Sequence, residues 1–238
     1  RPTIGIVSVP TSVGGTDVAV ITFTLSAAST DFVSGDVTAT GGTLSALAGS
    51  GSSYTAIFTP TGSSTAAGVV TVAAGGFTDA DGNQNLAATS LPITVDTEAP
   101  TPAVAVNPDP IGGGETTTVT INLGEDSTDF TIDDIVATGG TLSNFQSASA
   151  QIYTVDFTPS ADSTGGTINI SATVYTDAAG NSNNAATPGT IDIIEPPTIT
   201  LDPVTAGGAT EAEATGAGAT SLLTVLGDTG NTVSVVFT

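Results

Sequence analysis

A chain of 238 residues with one Lys or Arg (Arg1), 23 Asp plus Glu, a formal charge of −22 and no His, Cys, Met or Trp lacks the usual general bases, thiol nucleophiles, Schiff-base amines and zinc ligands. Only carboxylates, hydroxyls and backbone groups remain for chemistry, which argues against an enzyme. So large a negative charge repels polyanions and anionic bilayers, so neither nucleic acid nor membrane insertion is expected.

The first predicted strand is Thr3 to Val9, with Ile4 and Ile6 on one face, ending at Pro10. After a Gly14-Gly15 turn, Val18 to Leu25 alternates with Ile21, Phe23 and Leu25 inward. A short strand from Asp36 to Thr40, a Gly41-Gly42 turn and a strand from Thr43 to Leu47 follow. Tyr54 to Pro60 then puts Tyr54, Ala56 and Phe58 on one side. Strands from Gly68 to Phe77 and from Leu86 to Val95, separated by an Asp- and Asn-rich loop, complete seven. Seven short strands with Gly, Pro and Asn turns and no helical period fit an antiparallel sandwich of immunoglobulin type, with an aliphatic and Phe-based core because the Cys and Trp pin is missing.

The same pattern returns about 98 residues later. Asp31-Phe32 recurs as Asp129-Phe130, Asp36 to Ser45 as Asp134 to Ser143, and Phe77-Thr78-Asp79 as Tyr175-Thr176-Asp177. A period of this length means beads with separate cores rather than a solenoid. The fold expectation is therefore all-β: tandem immunoglobulin-like antiparallel sandwiches as beads on a string, residues 1–96 and 97–195, with an incomplete third β unit over 196–238. The third stretch offers an opening strand and two further candidates, Ser221 to Leu226 and Thr232 to Phe237. Either it is a truncated bead, or strands of another copy complete it and the chain is the subunit of an extracellular filament. No apolar run is long enough to span a bilayer and no signal peptide is seen, and a start without Met suggests an excised or mature segment of something longer.

The linkers Asp96 to Thr101 and Glu195 to Leu201 are acidic and carry proline, which stiffens a joint by fixing φ. Hard oxygen ligands crowd Thr78-Asp79-Ala80-Asp81-Gly82-Asn83-Gln84-Asn85 and its echo from Thr176 to Asn183. Such a loop suits Ca2+, which takes six to eight oxygens; Asp, Gly and Asn equally build a tight turn. The loop is no EF-hand, because Gln84 and Ser90 stand where Gly and Glu are required. If sandwiches join end to end, Asp96 and Glu98 meet loops of the neighbouring bead, including Glu115 or the Glu125-Asp126-Asp129 group. Carboxylates so packed require a cation or repel, unless the linker charge is simply solvated. Tyr54, Tyr153 and Tyr175 are the candidates for a sugar platform, more simply read as core or rim aromatics.

The Asp-Thr-Glu-Ala-Pro linker (Asp96 to Pro100), the Thr-Gly-Gly-Thr-Leu-Ser stretch ending at Ser143, Tyr153 to Pro159 and Thr176 to Asn181 together resemble the bacterial Ig-like repeats of giant secreted, RTX or biofilm-associated surface adhesins, over both full units. The resemblance implies a non-enzymatic extracellular spacer at the cell surface, rigidified by Ca2+ between modules. Its partners would be neighbouring Ig-like repeats or copies of itself, and any receptor or glycan would be bound elsewhere in the parent protein. The metal positions implied or suggested are Asp79, Asp81, Asn83, Asp96, Glu98, Asp177 and Asn181. At the second linker, Asp192-Ile193-Ile194-Glu195 loses the Asp-Thr pattern, which speaks against a site there.

Overall fold

The computed structural model describes residues 1–194 and, beyond them, only the backbone of two short strands that pair antiparallel, Thr198–Thr200 and Thr224–Leu226. The expected strand at Thr232 to Phe237 and the strand-exchange role of 196–238 lie outside the described residues. Among the described residues no helix is long and apolar enough to cross a membrane.

In the first unit, alternation with period two sets the core. Strand β1 (Ile4–Val9) pairs with β3 (Ala19–Ser29), with β2 (Ser12–Gly14) between them in the chain. Strands β4 (Val37–Thr40), β5 (Gly42–Leu44), β6 (Ala48–Pro60) and β7 (Val69–Val72) follow, and then β8 (Ala88–Thr89) and β9 (Thr94–Asp96). One sheet has the order β1-β3-β6-β5 and the facing one β4-β7-β8, with β2 and β9 as a separate pair. Ile21, Phe23 and Leu25 from β3 and Tyr54, Ala56 and Phe58 from β6 are buried as the alternation requires. Phe32 fills the end of the core, edge-on to Phe23 and Tyr54.

The second unit repeats this plan. Its strands are β10 (Ala103–Asn107), β11 (Ile111–Gly112), β12 (Thr117–Asn122), β13 (Ile135–Thr138), β14 (Gly140–Ser147), β15 (Ile152–Pro159), β16 (Gly165–Ile170) and β17 (Gly189–Ile194). They form the sheets β10-β12-β15-β14 and β11-β17-β16-β13. Each core is separate: Val119, Ile121, Leu123, Phe130, Val155 and Phe157 belong to the second, none of them to the first.

Several expectations are corrected. The sandwich is not wholly antiparallel, since β2 pairs with β9, and β11 with β17, in parallel. The last strand of the first unit is not continuous from Leu86 to Val95: Pro92, which has no N–H to give a ladder, separates β8 from β9. The strand expected from Gly68 to Phe77 stops at Val72, because the buried Asn85 side chain takes over as the backbone's partner, donating to Ala73 O and accepting from Phe77 N–H. The three tyrosines, by contrast, are core aromatics, as their simpler reading has it: all are buried, and the Tyr54 and Tyr175 hydroxyls donate to the carbonyls of Ser29 and Leu123.

Candidate metal centre at the joint between the units

Between Thr176 and Asn183 the chain makes a tight turn whose shape is written in its side chains. Thr176 and Ser182 form an isolated bridge, and the Asp177 carboxylate accepts the N–H groups of Ala179 and Asn181, both at 2.8 Å. Gly180 occupies φ +86°, where a side chain would be strained. Below, the Asp129 carboxylate takes the N–H and the hydroxyl of Thr176. Burial works against its charge, but these bonds and one from Ser127 prevail and lower its pKa. The first unit builds the same turn from Asp79 to Asn83, clamped by Asp31 onto Thr78, and the bonds from Ser29 and Thr78 lower the Asp31 pKa in the same way.

The two turns differ in what they face. Asp81 and Asn83 are exposed at the end of the first unit remote from the linker, and no other carboxylate group converges on Asp79 among the described residues. Asp177 and Asn181 are buried against the first unit. Asn181 accepts the Gly15 N–H at 2.9 Å and donates its amide to the Asp96 carbonyl at 3.1 Å and to the Asp177 carboxylate at 2.8 Å. One lone pair of its oxygen is therefore engaged by backbone, and Asn181 bridges the two units. Gly14 makes this approach feasible: a Cβ there would lie 2.8 Å from the Ala179 Cβ and 3.0 Å from the Asp96 carbonyl oxygen.

The linker is held on both sides. Thr97 belongs to the first unit, its hydroxyl donating to Thr61 O at 2.7 Å and its N–H to Ser64 O at 3.0 Å. Ala99, Pro100 and Thr101 belong to the second, held by Asn184 through its backbone N–H to Pro100 O and its side chain to Thr101 Oγ1. Gly124, at φ +88°, lies so close to Thr101 that a Cβ would sit 2.9 Å from its carbonyl, and this close passage carries the next residue, Glu125, to the linker.

Asp96, Glu125 and Asp177 converge there, each with a carboxylate oxygen within 4.8 Å of the others. They come from the end of the first unit's last strand and from two loops of the second. Burial, then the charges of Asp96 and Asp177, then Asp177 again as a hydrogen-bond partner and the charge of Glu98 raise the Glu125 pKa. Burial and the nearby Glu125, Asp129 and Asp177 charges likewise raise that of Tyr175, beneath the same loop. No basic side chain balances the group: the one basic residue, Arg1, donates to the carbonyls of Gln84 and Asn85 in the first unit's own loop. Unit charges at such spacing repel by roughly 1 to 3 kcal/mol per pair before salt screening. Three hard carboxylates from two units, without a counter-charge, fit a divalent cation that takes oxygen ligands, with the remaining positions open to water or backbone oxygens.

Of the residues singled out in the sequence, Asp96, Asp177 and Asn181 are brought together, Glu98 lies exposed beside them, and Asp79, Asp81 and Asn83 stand apart. Glu125 was one of several alternatives, and its position follows from Gly124. Glu115 sits at the far end of the second unit, where it accepts the Gly112 N–H. At that end the strand register puts Ile194 opposite Gly112, as Asp96 stands opposite Gly14, so an apolar residue occupies the place of the joint aspartate.

A family model described as a bacterial Ig-like domain matches residues 1–95 and again 96–193. No curated protein matches the chain. Among solved structures it is similar to FdeC, an Escherichia coli adhesin, at 16% identity over 80% of this chain and 63% of that one, with a TM-score of 0.45. It is also similar to InvD of Yersinia pseudotuberculosis, at 20% identity over 87% and 64% of the two chains, with a TM-score of 0.36. Invasin, a bacterial integrin-binding protein, is 19% identical over 84% and 41%, with a TM-score of 0.39. The chain spans less than two thirds of the length of each of these.

Proposed function

The chain belongs to the bacterial Ig-like domain family, and from that premise we propose that it is a non-enzymatic, extracellular spacer of a bacterial surface adhesin whose joint is stiffened by Ca2+. The observation that carries the reading is the convergence of Asp96, Glu125 and Asp177 from both sides of the joint, with no basic side chain to offset them. A calcium ion held by these carboxylates would neutralise their repulsion and tie the end of β9 to the loops of the second unit. Asn181, Thr97 and Asn184 supply the neutral part of the same joint.

A non-catalytic role is supported by the side-chain inventory, which lacks His, Cys and Lys altogether. A spacer needs modules with independent cores and short, bonded linkers, and both are features of this chain. Calorimetric titration of the full chain with Ca2+ tests the metal assignment. Binding that Glu125→Gln and Asp96→Asn each weaken at least about tenfold supports it, and binding that both variants leave unchanged removes it.

A further inference from the structure

The outward faces of the two equivalent sheets differ in a way their fold does not require. In the first unit, the strand register aligns Val9, Val20 and Ile57 across β1, β3 and β6, and all three are exposed, at 63%, 45% and 45%. Val7, exposed at 58%, extends the row along β1. The identical register in the second unit aligns Asn107, Thr118 and Asp156. Because the second sandwich folds with a polar row at these positions, packing cannot be what calls for the apolar one.

We propose that the outer face of the β1-β3-β6-β5 sheet docks on the same face of a second copy of this chain. Charge selects that occupant. At −22, two copies repel over most of their surface, but the outward positions around the row are threonines such as Thr22, Thr24, Thr55 and Thr59, without a carboxylate among them. The face offers no charge to attract a basic partner, and its uncharged outward positions let two acidic chains approach with less repulsion than a face that carries carboxylates. It is also self-complementary: a two-fold axis through the central residue sets Val20 on Val20 and Val9 over the other copy's Ile57, as an isologous contact requires. The exposed apolar area is on the order of a few hundred Å2. Stable complexes bury about 800 Å2 per partner, so a single contact is weak and gains strength where many copies stand side by side.

The absence of cysteine gives a direct test in the full chain. Val20→Cys, at the axis, is expected to form a disulfide-linked dimer under mild oxidation at least about tenfold faster than Thr118→Cys, its counterpart in the second unit. Adding Val9→Asn and Ile57→Thr, polar changes that place no carboxylate beside the thiol, should slow Val20→Cys at least about tenfold. Val9→Asn alone, on the edge strand, serves if the combined variant does not fold by circular dichroism. The rates should not change in a chelator, since no carboxylate lies on this face, which separates this contact from the calcium joint. Equal rates for the two cysteines, or a rate insensitive to the Val9 and Ile57 changes, overturn the proposal.

Discussion

The side-chain amide of Asn181 donates to the main-chain carbonyl of Asp96 at 3.1 Å, joining the second unit's loop to the last strand of the first across 85 residues of sequence. With its oxygen on the Gly15 N–H, this one side chain satisfies a donor and an acceptor of the neighbouring unit. Asn181→Ala leaves both without that partner and should weaken docking of the units by about 1 to 3 kcal/mol. Asn83→Ala, at the equivalent place in the exposed loop of the first unit, should leave the joint unaffected. Hydrogen exchange at Gly15 in the two variants checks the contrast: faster exchange in Asn181→Ala alone is the expected result.

Gly14→Ala should act on the joint through bulk. Its Cβ would press on the Ala179 Cβ and on the Asp96 carbonyl, whereas in Gly112→Ala the nearest atoms to the new Cβ among the described residues belong to the Glu115 side chain, 3.2 Å away. Solution scattering should find the first variant changed in inter-unit geometry and the second like wild type. Both should keep their β-sheet circular dichroism, since neither glycine lies in a core.

The core of each sandwich was readable from period-two alternation, because burial of Ile21, Phe23 and Leu25, or of Val119, Ile121 and Leu123, depends only on which way successive residues point. The joint was readable in part. The Asp96 linker and the Asp177 loop announce themselves as repeated, acid-rich motifs. Asp79 carries the same motif and stands apart, because a motif does not say which end of a bead meets a neighbour. Glu125 lies outside the repeated pattern, with Ala27 at the matching position of the first unit, and only the close approach of Gly124 to Thr101 selects it over Asp126. The parallel pairing of β2 with β9 was hidden for a similar reason, since it joins segments far apart in the chain that have no local signature.

Acidification should affect the joint and the clamp loops with opposite sign. The folded-state pKa of Glu125 is raised above its ordinary value of 4.5 by burial and by its acidic neighbours. Its contribution therefore favours the closed joint fully below that ordinary value and is lost as pH rises through the folded value. Asp31, Asp79 and Asp129 have lowered values, so their contribution is present above the ordinary 3.8 and lost as pH falls through the folded values. In a chelator, lowering pH from neutrality towards about 4.5 should tighten the joint, and going well below 3.8 should loosen the loops around Thr78 and Thr176. A scattering profile constant from neutrality to pH 4.5 in the chelator would count against the Glu125 part of this account.

Glu125→Gln should separate repulsion from metal binding. Without Ca2+ the variant is expected to be more stable than wild type by up to about 1 kcal/mol, because one of three crowded charges is gone. With Ca2+ the order should reverse if the ion binds as proposed, since the variant lacks one of its three proposed ligands. Thermal unfolding of both proteins with and without the ion reads the crossing directly.

The most direct test of the proposed closure of the joint by calcium uses the cysteine-free background. Spin labels at Leu91→Cys in the first unit and Val136→Cys in the second, both exposed positions, report the distance between units by pulsed dipolar spectroscopy. A single narrow distance distribution in millimolar Ca2+ that broadens on chelation, and that is broad in both conditions for Asp96→Asn, is the predicted result. Distributions of equal width with and without the ion would contradict it, and the joint would then be held by Asn181, Thr97 and Asn184 alone.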